Sequence, residues 1–276
     1  MIATRRPELL PSLALFATPA ALVSLGLFVI PMIFVASYTV GEERGLLDGV
    51  REVAGSNLVF RVFLNTVHIS LTTAFVSVLL AYPVALHVMR QKRLWKAVCL
   101  TLVLVPFWTS ILVKSYAFIV ILGERGVINT ALRAWGFDGF DMMFNRFAVI
   151  VGMSNALIPF AIFPILASLS AQNQSIQAAG EVMGASPMRV FWSITFPQSL
   201  PGVLAAFLLC LVLSMGFFVT PALLGGRQDM MMANVIDLYT REVLDWQSAS
   251  IIALLLLLFC GLLAGVILKL QLKVGR

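Results

Sequence analysis

Apolar residues gather along this chain in six long stretches, about 13–40, 62–89, 97–122, 147–172, 200–226 and 246–268, with polar residues between them. Each stretch is sufficient for the roughly 20 residues that an α-helix needs to cross a bilayer. The pattern predicts an all-α, integral membrane chain: one domain over residues 1–276 with six transmembrane helices. An even number of spans places both termini on the same side. The first stretch follows Arg5-Arg6, as a signal peptide would, but its 28 uncharged residues exceed the roughly 7–15 of a signal core. It is expected to remain as an anchor.

The longest interruption on the side of the termini is 173–199. It reads as two short helices joined by a hinge. Ser175 is expected to cap the first with its hydroxyl, and Gly184 to close it in the left-handed conformation. Ser186 then caps the second, with Pro187 at the first helical position, where its missing N–H costs nothing. Pro197 and Pro201 are expected to mark the end of this segment and the start of the next span. A compact helical hairpin between two membrane helices suits docking to a partner better than catalysis. On the opposite side, the loops at about 41–61, 123–146 and 227–245 are rich in Gly and charge. They are expected to carry short interfacial helices that meet an external partner, with plain solvated connectors as the alternative.

Composition agrees with the span pattern. The chain is 60% hydrophobic and 12% charged, with a mean hydropathy of +0.98; soluble domains carry about 25% charge. The net charge of +6 does not point to nucleic acid, because the basic residues stand in short groups between spans, as topology signals do. Ten Lys and Arg fall on the side of the termini: Arg5, Arg6, Arg90, Lys92, Arg93, Lys96, Arg189, Lys269, Lys273 and Arg276. Eight fall opposite, and Lys114 lies within a span. The cluster Arg90-Gln91-Lys92-Arg93 sits tight against a span end, where the positive-inside rule acts, so the termini are placed in the cytoplasm. Cys99, Cys210 and Cys260 stand in apolar runs without metal-ligand spacing and read as small hydrophobes.

No active-site motif stands out. H-E-x-x-H and the phosphate-binding G-x-x-x-x-G-K-[ST] are both absent, so the chain has no P-loop for ATP. His68 and His87 are about five turns apart on one span and cannot share a metal. They read as satisfied polar residues near the outer and inner ends of that span. None of the six stretches contains Asp or Glu, whereas ion-coupled transporters place ionisable residues at mid-membrane. Energy for any transport is therefore expected from elsewhere. Lys114 is the single charge within a span. Either it lines a polar path together with Trp108, Thr109, Ser110 and Tyr116, or it snorkels to the outer interface or pairs with a neighbouring carboxylate. Gly261 and Gly265 form a G-x-x-x-G that is expected to serve internal packing.

The 173–199 segment resembles the cytoplasmic loop of ABC importer permeases, whose pattern is Glu-Ala-Ala, three residues, Gly, nine residues, Ile, one residue, Leu-Pro. Here Gly184 is followed nine residues on by Ile194, Thr195, Phe196 and Pro197, and the triplet falls on Ala178, Ala179 and Gly180. The spacing is kept. The triplet's Glu is absent, and Phe196 replaces Leu. At the third position after a Ser175 cap, that Glu could close a capping box, so its loss is expected to weaken the first helix.

The resemblance extends to permeases of the spermidine/putrescine type. It is carried by Pro106-Phe107-Trp108-Thr109-Ser110 with Tyr116, by Leu122-Gly123-Glu124-Arg125-Gly126-Val127-Ile128-Asn129, by the run from Gly216 through Phe217 and Thr220 to Gly226, and by Asp245-Trp246. It spans about residues 9–270 and is similar to the first permease of such a pair.

This resemblance implies a type I ABC importer permease, itself no enzyme, in a bacterial inner membrane. Its partners would be a second homologous permease in a heterodimer, two ATP-binding cassette subunits that hold ATP and Mg, and an external solute-binding protein. The coupling residues would be Ala178, Ala179, Gly180, Glu181, Gly184, Ala185, Ser186, Arg189 and Pro197. Glu181 and Arg189 either pair with charges on the ATPase or are merely solvated. The path would include Trp108, Thr109, Ser110, Lys114, Tyr116, Phe217 and Thr220. The implied substrate is a polyamine or a related small organic solute; if Lys114 faces the path, an anionic or zwitterionic solute is favoured. A secondary transporter would show intramembrane carboxylates or broken helices in repeated halves, and the carboxylates are missing; a membrane scaffold would lack the polar residues around Lys114.

Overall fold

The computed structural model describes residues 9–40 and 45–274. Arg5, Arg6, Arg44 and Arg276, which enter the orientation count, lie outside the described residues. Every regular element among the described residues is helical: α1 (Leu9–Tyr38), α2 (Leu46–Gly55), α3 (Asn57–Arg90), α4 (Arg93–Trp108), α5 (Ile111–Leu122), α6 (Val127–Ala134), α7 (Arg146–Ser170), α8 (Gln174–Val182), α9 (Pro187–Val190), α10 (Phe196–Met215), α11 (Val219–Leu224), α12 (Met232–Arg241) and α13 (Trp246–Val274). One π turn, Phe191–Thr195, joins α9 to α10.

Four described helices are long and apolar enough to cross a membrane: Asn57–Arg90, Arg146–Ser170, Pro187–Met215 and Trp246–Val266. The bent pair α4–α5 adds a fifth if counted as one span, and Leu22–Tyr38 is a shorter apolar helix. α3, α7 and α10 make the core, with Ala74, Ala81, Ala85, Ala161 and Ala206 fully buried where they pack. Small side chains there let the backbones approach closely, which is how helices associate in lipid, where no hydrophobic drive acts between them. Gly202 is the extreme case: a Cβ on it would stand 2.3 Å from the Ser168 Cβ and 2.7 Å from the Pro164 carbonyl oxygen.

Two predicted spans are broken. Residues 97–122 do not form one helix, because α4 and the helical run beginning at Ile111 meet at 93°. Pro106 supplies no N–H to the carbonyl one turn earlier, and the Thr109 hydroxyl donates to the Pro106 carbonyl at 2.7 Å, closing α4. Ser110 then starts α5, its carbonyl accepting from the Lys114 N–H at 3.1 Å. The stretch 200–226 likewise ends as a helix at Met215. Gly216 and Phe217 turn back on Leu213 and Ser214, and Pro221 has no N–H to offer the carbonyl of Phe217.

The hairpin differs from expectation in two details. Asn173, and not Ser175, caps α8: its side-chain oxygen accepts from both the Ser175 N–H at 3.0 Å and the Ser175 hydroxyl at 2.8 Å. Position 178 is therefore too deep in the helix to close a capping box, and the missing Glu costs no cap here. Pro197 does not end its segment either, because α9, the π turn and α10 run on as a single 29-residue helix. The wide turn accommodates the ring: the Phe196 N–H reaches back five residues to the Phe191 carbonyl, immediately before Pro197.

The last span also departs from its expected packing. Both Gly261 and Gly265 face open space, with nothing within 4 Å of an added Cβ. α13 packs through Ile251, Ile252, Leu256, Phe259, Cys260 and Leu263, which lie on another face. Asp245 caps that helix, accepting from the Ser248 N–H at 3.0 Å and the Ser248 hydroxyl at 2.7 Å.

Candidate functional site

At one end of the bundle, α8 closes on a complete Schellman motif. Gly184 has φ +83°, the Ala185 N–H donates to the Gly180 carbonyl at 3.1 Å, and the Gly184 N–H donates to the Glu181 carbonyl at 2.9 Å. The chain turns at once into α9, where the Ser186 hydroxyl accepts from the Arg189 N–H at 3.4 Å and Pro187 stands at the first position. Gly180 lets the two limbs touch, since a Cβ there would lie 3.2 Å from the Ile194 Cδ1 and 3.5 Å from the Val190 Cγ2. Around this hinge, Val182 (89% exposed), Met183 (86%) and Met188 present apolar surface to the outside. Glu181 and Arg189 flank it, both exposed and neither in an ion pair among the described residues. Ala178 and Ala179 are exposed on α8. The hairpin is closed by its own hydrogen bonds and leaves an apolar surface with two charged side chains exposed.

The hairpin is tied to the core at its base. Gln172 donates from Nε2 to the Thr195 carbonyl at 2.9 Å, joining the end of α7 to the π turn. Tyr82 of α3 lies edge-on to Phe191 and Phe196. These contacts join the base of the hairpin to α7, α10 and α3.

The candidate path residues divide. Thr109, Lys114 and Phe217 line one cavity of about 300 Å³ together with Phe107, Leu157 and Phe160, at the break between α4 and α5. Trp108 (85% exposed), Ser110 and Tyr116 face away from the rest of the chain. Thr220 is 1% exposed and packs against Gly152 of α7, where an added Cβ would stand 2.9 Å from its Cγ2. The aligned run from Leu122 to Asn129 has a structural explanation. Asn129 is buried and donates to the Gly123 and Phe140 carbonyls, both at 3.0 Å, while accepting from the Phe140 N–H at 2.9 Å. Gly126 is needed because a Cβ would fall 2.4 Å from the Ile121 carbonyl oxygen.

The sequence reading missed a polar network at the end of the bundle opposite the hairpin. Arg146, at the start of α7, pairs through Nε with the Asp229 Oδ1 at 3.3 Å, bonds the Asn65 carbonyl oxygen Oδ1 through Nη2, and lies 3.4 Å from the His68 Nδ1 through Nη1. Asn65 in turn donates to the Gln228 and Met230 carbonyls at 2.8 and 3.1 Å. Asn65, His68, Arg146, Gln228 and Met230 wall a cavity of about 840 Å³, with Asp229 buried behind them. A signal was present: Arg61, Asn65, His68 and Thr72 recur at helical spacing along one face of α3. Partners far along the chain, Arg146 and Asp229, gave no local sign. His87, at the other end of α3, lies with its Nε2 3.0 Å from the Gln91 side-chain nitrogen.

The long and broken apolar helices mark a helical membrane protein, with a surface hairpin at one end and a cavity at the other. The family description for the inner membrane component of binding-protein-dependent transport systems matches residues 75–273. The chain belongs to that family, and it is a permease subunit of an ABC importer. It is 29% identical over 208 residues to the spermidine/putrescine transport system permease PotB of Escherichia coli K12, covering 75% of this chain and 76% of that one. It is 26% identical over 186 residues to the molybdenum transport system permease ModB of Mycobacterium bovis, covering 67% and 69%. Among solved structures, a chain of a bacterial alginate ABC transporter in complex with an alginate-bound periplasmic protein shares the fold at a TM-score of 0.77 and 18% identity, over 98% of this chain and 96% of that one. A chain of the MetNI methionine ABC transporter shares it at 0.56 and 16% identity, over 80% and 100%.

Proposed function

We propose that this chain is one half of a heterodimeric importer pore, a single domain of six spans with both termini in the cytoplasm. α1 and the bent pair α4–α5 complete the six. A second, homologous permease forms the other half. Two ATP-binding cassette subunits hold ATP and Mg beneath the pair, and an external solute-binding protein delivers the substrate at the opposite end. This chain holds no cofactor of its own.

The observation that carries the reading is the hairpin. It closes on Gly184, presents Val182, Met183 and Met188 outward, and is continuous through the π turn with a membrane helix. Such a hairpin seated in a groove of the ATPase passes closure of the nucleotide sites into α10 as a rigid-body shift. Ala178, Ala179, Gly180, Glu181, Gly184, Ala185, Ser186 and Arg189 form the contact surface and its hinge, and Pro197 sets the π turn above it. Thr109, Lys114 and Phe217 line the path on this chain's side, with Trp108, Ser110 and Tyr116 turned toward the second permease. Thr220 supports the same region from behind.

The substrate reading follows the relatives: PotB is named for spermidine and putrescine, so a polyamine is the first candidate. A second reading, a small anionic or zwitterionic solute such as an amino acid or phosphonate, is favoured by Lys114 on the cavity at the α4–α5 break. The test is ATP-dependent uptake of labelled putrescine, spermidine and a set of amino-acid and phosphonate solutes, in cells with the complete system and with this chain deleted. Loss of polyamine uptake supports the first reading, and loss of an anionic solute the second. If no uptake depends on this chain, the pore assignment fails.

A further inference from the structure

The cavity of about 840 Å³ at the end opposite the hairpin is lined by Arg61, His68, Arg146 and Arg227, and by no Asp or Glu. Its charges are not equivalent. Arg146 is fully engaged: Asp229, Asn65 and His68 take up its three nitrogens. Asp229 is buried and spends both oxygens within the wall, one on Arg146 and the other on the Gly226 N–H at 3.3 Å. It therefore neutralises Arg146 and nothing else. Arg61 and Arg227 line the same cavity and make no hydrogen bond or ion pair among the described residues. Two guanidinium groups without a partner among the described residues thus line a space whose wall is tied from α3 to the 225–231 loop.

The lining residues run from Leu58 to Leu71 on α3, about 20 Å along the helix axis at 1.5 Å per residue. The cavity therefore reaches from the helix end toward the membrane interior. Arg61, about one turn into α3, and Arg227, in the loop after α11, stand exposed at the outer end of this cavity, where no lining carboxylate offsets them. Each guanidinium offers parallel N–H donors that match two oxygens of a carboxylate or phosphate.

We propose that this cavity is a binding site for an oxyanion group, a carboxylate, phosphate or phosphonate, held between Arg61 and Arg227 with Arg146 as the fixed wall. The inference rests on the importer reading for the route by which a solute arrives. It also sharpens that reading, because a site of this charge repels a polyamine and admits the anionic class.

The test is titration of inorganic phosphate, at constant ionic strength, into the purified full-length chain in phosphatidylcholine nanodiscs. It is repeated with the Arg61→Gln/Arg227→Gln double variant, and with Arg227→Gln alone should the double variant fail to fold. Saturable binding that weakens at least tenfold in the variant is expected. No saturable binding to the wild type in either lipid, or equal binding in the variant, overturns the proposal. A second arm replaces part of the lipid with phosphatidylglycerol. Suppression of phosphate binding there identifies a lipid headgroup as the oxyanion source, and unchanged binding identifies a free solute. Pull-down of an ATP-binding cassette subunit by the same chain is scored separately. Pull-down without a phosphate site removes this inference alone, and a phosphate site without pull-down removes the importer assembly alone.

Discussion

The hydroxyls of Tyr82 and Ser199 lie 2.9 Å apart, joining α3 to the first turn of α10 directly above the hairpin. Ser199 already donates to the Phe196 carbonyl at 2.8 Å, so Tyr82 is the donor of the pair. The two substitutions are then unequal. Tyr82→Phe removes one donor and leaves Ser199 bonded, at a cost of about 0.5–1.5 kcal/mol. Ser199→Ala strands the phenolic hydroxyl as well as removing the Phe196 bond, at about 1–3 kcal/mol. Thermal unfolding in detergent should rank Ser199→Ala as the less stable; the reverse order would show that the pair is not formed as described.

Gly184→Pro should abolish transport while the protein still inserts. Proline cannot adopt φ +83° and cannot supply the N–H that bonds the Glu181 carbonyl. Gly184→Asn, which tolerates the left-handed region, should retain most activity. Uptake assays with immunoblots of the membrane fraction check both, and wild-type transport by the proline variant would remove the hinge.

Gly180→Ala should be tolerated and should stabilise α8 by up to about 1 kcal/mol, the helix-propensity difference. The nearest neighbour of the added methyl is the flexible end of Ile194, at 3.2 Å. Gly180→Leu should instead push the two limbs apart and lower uptake. A variant series read by ATPase pull-down and uptake separates packing from contact.

Gly202→Ala should be severe. The new methyl would meet the Pro164 backbone oxygen at 2.7 Å and the Ser168 Cβ at 2.3 Å, and neither can swing away. A cost at or above the top of the about 1–3 kcal/mol range for overpacking is expected. Loss of membrane-integrated protein is the readout, and Ser168→Gly should rescue it only in part because the carbonyl remains.

Lys114→Gln should change the KM for transported solute without changing insertion. One unit charge about 10 Å from a charged solute, at an effective dielectric near 40, is worth about 0.8 kcal/mol, or about fourfold. Uptake kinetics measure it directly, and an unchanged KM would return Lys114 to a snorkelling role.

What could be read from the sequence was whatever local chemistry dictates. Apolar length marks a membrane chain, because lipid forces backbone groups to bond within a helix. Gly184, Ser186 and Pro187 declared a hinge and a cap, since their backbone preferences act over three or four residues. Resemblance added the family and the hairpin's spacing. The tertiary structure decided the rest. Whether Asn173 or Ser175 caps α8 depends on where the chain leaves α7, and the path of α10 through Pro197 depends on a π turn packed under Tyr82. The breaks at Thr109-Ser110 and Gly216-Phe217 interrupt stretches whose average hydropathy stays high, so a span-length window passes over them. The basic cavity needed Arg146 brought to Asn65 and Asp229 from distances of 81 and 83 residues along the chain. Such pairings carry no local signature, because only the packing of α3 against α7 puts those groups within reach.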